Sequence, residues 1–446
     1  MEGALYKMAT NNSNHPLNSS KIYLCKYAAS IVLMLGEERI ELDHSNILSI
    51  EYLTDYDFNI RSIIKVGIRV DIRRKLWILK NKRSVVAKFE LVAFGMDTEE
   101  ENVITTPKTV WNQNFSVYFN DEEESTDVKA MEQRISKNEG SSFAINDISE
   151  ENYFESQNTL DLYLFDQSLL NSSNKICNTV FTKNTLQMCV ARLLTETKSN
   201  RVLMSRFEND EIYEELLIPA NPLYKTLIYL DQYYGFYKTG ATIFYDVDTL
   251  YILNSNGHVT AKRENEWTQT TIYVTELDAS TPGNGVFVRD GELTNYCSIN
   301  EMNINPQKFS IANNESVGSE AKIVITDDTT VDLTDADQSY INQRNEKVIY
   351  TKRDNNKFAA SIIKARMEEN ECVLYISGDN LDIRAFKPNK EFQVVFDETS
   401  KQQKYGTTKY RLAYAYHYLK LESENYYSSS HQIILKRRAS TEEVVD

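Results

Sequence analysis

The segment IIKVGIRVDI, residues 63–72, alternates apolar and polar side chains: Ile64, Val66, Ile68, Val70 and Ile72 fall on one side, Lys65, Gly67, Arg69, Asp71 and the following Arg73 on the other. Successive side chains of a strand point to opposite faces, so this period of two predicts a half-buried β-strand with one face on a core and the other in water. Its neighbours carry the same signal. IYLCKYAASIVLML (22–35), ILSIEYLTDYD (47–57), KLWILK (75–80) and SVVAKFELVAFGM (84–96) are short runs rich in Ile, Val, Leu and Tyr, parted by charged or Asp/Asn turns, and TVWNQNFSVYF (109–119) closes the region. Residues 21–120 read as one antiparallel sheet or small barrel of about six strands.

A chain of 446 residues exceeds what one hydrophobic core organises and predicts two or three domains. Apolar residues make up 41%, and the 28 Tyr and 18 Phe suit pleated sheets and buried interfaces better than long helical bundles. The net charge of −16 opposes unspecific attraction to nucleic acid or an anionic membrane. A local exception spans Arg69 to Arg83, where seven basic residues surround Trp77. It reads as a nucleic-acid contact, a charged strand edge that discourages stray pairing, or a seam against an acidic neighbour.

Cys25, Cys177, Cys189, Cys297 and Cys372 are an odd number, far apart and without a CxxC pair, and are expected to be buried free thiols of a protein made in a reducing cytoplasm. Residues 1–20 form a polar tail without the apolar stretch of a signal peptide, and Ala28 to Leu35 is far too short for a membrane span. The expectation is a protein with neither secretion signal nor anchor.

Beyond residue 120 the apolar runs stop, and 121–155 reads as an acidic linker or excursion. TLDLYLFDQSLL (159–170) resumes strand character and opens a helix-and-hairpin part, 156–256. There Asn184 is a candidate cap for a helix with Leu186, Val190, Leu193 and Leu194 on one face; Asn221 and Pro222 start a second, striped by Leu223, Leu227, Leu230 and Tyr234 up to Gly235. ATIFYD (241–246) and TLYILN (249–254) then flank Val247 and Asp248 as a hairpin. Residues 257–331 form a loop-rich β insertion containing TTIYVTEL (270–277) and GVFVRDG (285–291). The last part, 332–437, carries KFAASIIKARM, ECVLYISG, LDIRAF and EFQVVFDE, then the strand TKYRLAYAYHYLKLE (408–422), with Tyr410, Leu412, Tyr414, Tyr416 and Tyr418 expected on one buried or interfacial face; 438–446 is a terminal tail.

The residues give no catalytic, cofactor or metal site. The chain has 14 Gly, and GNG at 283–285 has neither the Lys nor the helix of a phosphate loop. His15, His44, His258, His417 and His431 lie outside metal-ligand spacing, though folding can bring two together, and no GxSxG elbow occurs. Asp246 with Asp248, or Glu214 with Glu215, are nominal glycosidase pairs that nothing singles out. TDDTTVDLTDADQ, with Asp327, Asp328, Asp332, Asp335 and Asp337, offers calcium-type oxygens without EF-hand spacing; a plain acidic loop is the alternative.

Three stretches resemble baseplate hub proteins of contractile-tailed bacteriophages: ILSIEYLTDYDFNIRSIIKVGIRVDI (47–72) is similar to their opening barrel, EIYEELLIPANPLYKTLIYLDQYYGFYKTGATIFYDVDTLYIL (211–253) to their helix-and-hairpin segment, and LDIRAFKPNKEFQVVFDE (381–398) with YGTTKYRLAYAYHYLK (405–420) to their final strands. The resemblance implies a mainly β fold with a few helices, built on two tail-tube-like antiparallel β-barrels plus inserted segments. It implies a non-enzymatic homotrimeric ring between tail tube protein and a central spike or tail lysin, beside other baseplate subunits, with DNA passing its lumen. Such a protein would be made in the host cytoplasm and reside in the virion. A distal, receptor-binding tail protein and a tail-associated cell-wall hydrolase are the competing readings.

Overall fold

In the computed structural model the described residues are 21–57, 61–81, 84–97, 103–119, 159–166, 169–170, 174–197, 201–247, 249–255, 270–274, 285–290, 293–304, 322–324, 346–348, 356, 358–388, 390–396, 399–423 and 426–438. The acidic excursion at 121–155, the Asp327 run and Gly283 lie outside them. The first strands are β1 (Lys21–Leu35), β2 (Glu38–Leu42), β3 (Ile47–Asp55), β4 (Ile63–Arg69), β5 (Val86–Met96), β6 (Lys108–Tyr118) and β7 (Thr159–Asp166). The middle of the chain adds β8 (Ile176–Thr185), β9 (Arg201–Met204), β10 (Ile212–Pro222), β11 (Ala241–Asp246) and β12 (Thr249–Asn254). There follow β13 (Thr270–Val274), β14 (Gly285–Asp290), β15 (Leu293–Ile304), β16 (Lys322–Val324), β17 (Glu346–Val348), β18 (Val373–Asp379), β19 (Phe392–Phe396), β20 (Lys409–Leu421) and β21 (Tyr427–Arg437). The helices are α1 (Ile72–Lys80), α2 (Leu186–Thr197), α3 (Leu223–Tyr234), α4 (Ala359–Asn370) and α5 (Thr399–Tyr405).

Strand pairing closes two rings. The first runs β1-β5-β6-β7-β4-β3-β20-β21 and returns to β1 through Tyr27↔Tyr427; the second runs β13-β14-β15-β18-β21-β20-β19 and returns to β13. β20 and β21 belong to both, so the barrels are fused. The expected two-barrel, mainly β fold is what the structure shows, with two corrections. The first ring is wider than 21–120, because β7 and the C-terminal β20 and β21 complete it. The sheet is not purely antiparallel: β1–β15 and β13–β19 run parallel.

The alternation at 63–72 holds as far as the strand does. Ile64, Val66, Ile68 and Val70 are buried in the first core together with Phe89, Leu91, Phe115 and Leu162. After Arg69, however, the chain turns into α1, so the basic residues from Arg73 to Lys80, KLWILK included, are helical rather than a strand edge. Asp71 caps α1 by accepting from the Arg74 N–H at 2.9 Å, and Lys75, Ile78 and Leu79 are buried at helical spacing. KFAASIIKARM likewise contributes to a helix, α4, and LDIRAF contains a single 3-10 turn, Ile383–Ala385. α2 is capped by Thr185, whose Oγ1 accepts from the Met188 N–H at 3.3 Å, while Asn184 bonds back to the Thr182 carbonyl. Pro222 is the residue before α3 and not its first.

The tyrosine stripe of β20 is split. A bulge lies between Leu412 and Tyr414 in the pairing with β21. Before it Tyr410 and Leu412 are buried in the second core; after it Ala415, His417 and Leu419 are buried and Tyr414, Tyr416 and Tyr418 are half-exposed. One inserted residue shifts a period-two pattern to the opposite face. The shift falls where β20 leaves β19, its partner at Lys409 and Tyr410, for β3, its partner from Tyr414 to Lys420.

The helices α2 and α3, the ribbon β8–β10 and the sheet β11-β12-β9 form a third unit with its own core, including Phe181, Leu186, Leu216, Leu227, Phe236 and Tyr237. A further close approach fixes β18: a Cβ on Gly378 would collide with the Ser298 carbonyl oxygen beside the bulge of β15.

The split stripe separates two substitutions that the sequence pattern makes equivalent. Leu412→Asp places a charge in the second core and is expected to cost about 4 kcal/mol or more, whereas Tyr416→Asp, on the half-exposed face, costs about 1 kcal/mol. Urea unfolding of both variants checks this; equal losses would mean that the strand faces are misassigned.

Candidate functional site

Buried polar ties join the two barrels to α4, to the third unit and to the turn at 381–384. Arg411 on β20 reaches Glu369 of α4 twice, Nε to Oε1 at 3.0 Å and Nη2 to Oε2 at 2.7 Å, and Asp57, just past β3, at 2.8 Å. Lys436, the cross-strand partner of Arg411 on β21, donates to the other Asp57 oxygen at 2.7 Å, and Arg366 pairs with Glu369 at 3.1 Å. Burial alone would raise the Asp57 pKa, but Arg411, Lys436 and Arg366 outweigh it and hold the carboxyl well below its usual range. The cluster joins both barrels to α4.

A second tie holds the hairpin β11–β12. Asp246 is buried, accepting from Tyr52 Oη of the first barrel and from Lys387 Nζ at 3.2 Å, and Ser62 N donates to the Tyr245 carbonyl at 2.8 Å. A third links β1 to the 381–384 turn: Tyr23 donates to Asp382 at 2.8 Å and Tyr27 to the Leu381 carbonyl, while Asn295 accepts from Asp382 N at 2.8 Å.

These positions answer the sequence candidates. Asp246 is fully engaged in a structural tie, and Asp248 lies outside the described residues. Glu214 and Glu215 are exposed neighbours on β10, with opposite side-chain directions along the strand. Folding does bring two histidines together: His417 and His431 are cross-strand partners, Nδ1 to Nδ1 at 2.7 Å, and both are buried. Yet among the described residues no group of three or more His, Cys, Asp or Glu gathers as a metal site would require. All five cysteines are buried and none is in a disulfide; burial pushes the Cys189 thiol up to about 11 and those of Cys25, Cys297 and Cys372 upward too, so these four are poor nucleophiles. No helix among the described residues is long and apolar enough to cross a membrane.

Exposed large apolar side chains gather on the third unit among the described residues. Ile176, Val180, Ile212 and Leu217 on the ribbon β8–β10 and Met188 on α2 are 52–67% exposed. Sequence reading missed this patch because outward-facing Val and Leu in an alternating strand look like any core side. The outer face of β20 adds half-exposed Tyr414, Tyr416 and Tyr418, with Tyr416 Oη donating to Glu51 at 3.3 Å.

Fused barrels, cores closed by side chains, and apolar patches turned outward define a β-rich scaffold. The chain belongs to the family described as Bacteriophage PBS1 gene 109 protein, whose model matches residues 17–438. Among solved structures it is similar to a tail protein from Neisseria meningitidis MC58, with 10% identity, 92% of this chain and 96% of that one covered, and a TM-score of 0.40. It is also similar to the 43 kDa tail protein of prophage MuSo2 from Shewanella oneidensis, with 10% identity, 93% and 100% covered, and a TM-score of 0.43. A third is an Escherichia coli type VI secretion component described as structurally similar to the T4 tail proteins gp27 and gp5, with 7% identity, 92% and 77% covered, and a TM-score of 0.38. No curated protein matches the sequence.

Two outcomes follow from the buried groups. Arg411→Met strands Asp57 and Glu369 without their shared cation and is expected to cost about 3–5 kcal/mol in urea unfolding; a loss under about 1 kcal/mol would show that Lys436 and Arg366 compensate.

The histidine pair sets the other. Burial pushes His431 down to about 3 and His417 well below its usual value, so the unfolded chain binds protons that the folded one refuses. Stability from the pair is therefore complete above about pH 6.5 and falls as pH drops, by on the order of 2 kcal/mol at pH 4.5 from His431 alone. Asp231, pushed up to about 6 by burial, works with the opposite sign and offsets part of this, while His44, shifted down by burial, adds to it. Unfolding midpoints between pH 7 and 4.5 should slope less in the His417→Leu/His431→Leu variant; an unchanged slope would assign it to other groups.

Proposed function

We infer that this chain is a structural virion protein, a tail or baseplate hub that forms a trimeric ring between the tail tube and the central spike. The observation that carries the reading is the fusion of two barrels through β20 and β21 in one chain. Three copies then set six β-barrels around one axis, so a three-fold ring can match a six-fold tube on one side and a trimeric spike on the other. The membership in a bacteriophage family supports it.

Both barrels are filled by side chains, as barrels of about eight strands are. A passage for DNA therefore runs between copies and not through a barrel, and the net charge of −16 suits a wall that does not retain it. The partners are other copies of the chain, the tube protein, the spike or a tail lysin, and further baseplate subunits; the role needs neither cofactor nor catalysis. The protein is made in the host cytoplasm and ends in the virion.

Light scattering of the purified protein is expected to give three times the 51.6 kDa chain mass. Immunogold labelling of virions should place the chain at the tail end. Label on the capsid, or lysis of purified cell wall by the isolated chain, would overturn the structural reading.

A further inference from the structure

Of the seven exposed large apolar side chains among the described residues, five (Ile176, Val180, Met188, Ile212 and Leu217) lie within residues 176–217, on a unit outside both rings. Val180 and Leu217 are direct cross-strand partners on the outward face of the ribbon β8–β10. The inward face is covered: Cys177, Phe181, Leu216 and Ile218 pack into the core shared with α2 and α3. Among the described residues neither β8 nor β10 pairs with a further strand, and both edges of the ribbon are open to those residues. A monomer with open edges flanked by apolar side chains invites another strand.

The two edges differ in charge. β8 carries Lys183 and no acidic residue, with Lys175 just before it; β10 carries Glu214 and Glu215 and no basic residue, with Glu208, Asp210 and Glu211 just before it. Glu208 is used within the chain, accepting from Lys238 N at 2.6 Å and Asn254 Nδ2 at 3.1 Å. Lys183, Asp210, Glu214 and Glu215 are exposed. Like edges of two copies would repel or mismatch, whereas the basic β8 edge and the acidic β10 edge complement each other.

We propose that the ribbon is the seam between neighbouring copies, the β8 edge of one copy docking on the β10 edge of the next. Main-chain hydrogen bonds along the edges supply affinity, Val180 and Leu217 bury against the neighbour, and the charge difference fixes which edge meets which. Such a contact is head-to-tail: each copy uses two different surfaces, and rotation closes it into a ring. The seam rests on the ring of the proposed function and supplies its missing interface.

The test mixes light and 15N-labelled full-length chains and treats them with a carbodiimide, which joins Lys to Glu without a spacer. Isotopically mixed peptides linking Lys183 to Glu214 or Glu215 are expected, together with about 100-fold weaker association of Val180→Arg/Leu217→Arg by light scattering. Both substituted side chains are exposed, so the variant's unfolding midpoint at low concentration should match the wild type. A three-chain mass with only isotopically pure links, or a variant that keeps the wild-type mass, would overturn the seam and leave the ring. A wild-type protein that stays a single chain at every concentration would overturn both.

Discussion

Everything in this fold depends on β20 and β21 serving two barrels at once. A strand that leaves one barrel for another must present its buried side first to one core and then to the next, and an uninterrupted period of two cannot do both. The bulge between Leu412 and Tyr414 shifts the buried side to the odd-numbered residues: Tyr410, Leu412 and Ala415 pack in the second core, and Leu419 reaches the first. Both barrels therefore rest on the same pair of strands, and a fault in either strand is felt by both.

The crossing also needs a lid, because alternation with Tyr410 and Leu412 turns Arg411 away from the apolar interior. Glu369 of α4 and Asp57 close over it, and Lys436 and Arg366 complete the cluster. Two carboxylates against three cations, nearly all buried, is a costly arrangement compared with an apolar plug of similar volume. Its return is geometric: bidentate pairing admits one orientation of α4 across β20 and β21. Asp246 fixes the hairpin β11–β12 against the first barrel in the same manner, through Tyr52 and Lys387. The ties lie where separately cored units meet.

Local pattern made much of this legible. The alternation at Ile64 to Val70, the stripes of α2 and α3, and the hairpin about Val247 are short-range signals and stand in the structure as the sequence has them. Three features were not legible. The helix α1 hid within an apolar run, its one cue being Asp71 placed to cap Arg74. The bulge in β20 left no mark, since Ala413 and Ala415 fit either face. The partners of Arg411 and the approach of His417 to His431 follow from strand register, which no local period encodes. The exposed patch was missed for a related reason: alternation states that a strand has two faces, not that both are apolar.

Cores filled by side chains place the business of such a molecule on its outside. The barrels have little apolar surface to spare, for Val103 and Tyr118 are the exposed large apolar side chains they contribute among the described residues, and the remaining five sit on the helix-and-ribbon unit. That unit is inserted between β7 and β13, with its own core and with buried ties back to the first barrel. A self-sufficient core lets its outer face carry Ile176, Val180 and Leu217 in water without loosening the barrels behind it. Shape is thus held by the shared strands and recognition by the insertion, so each can change with little effect on the other.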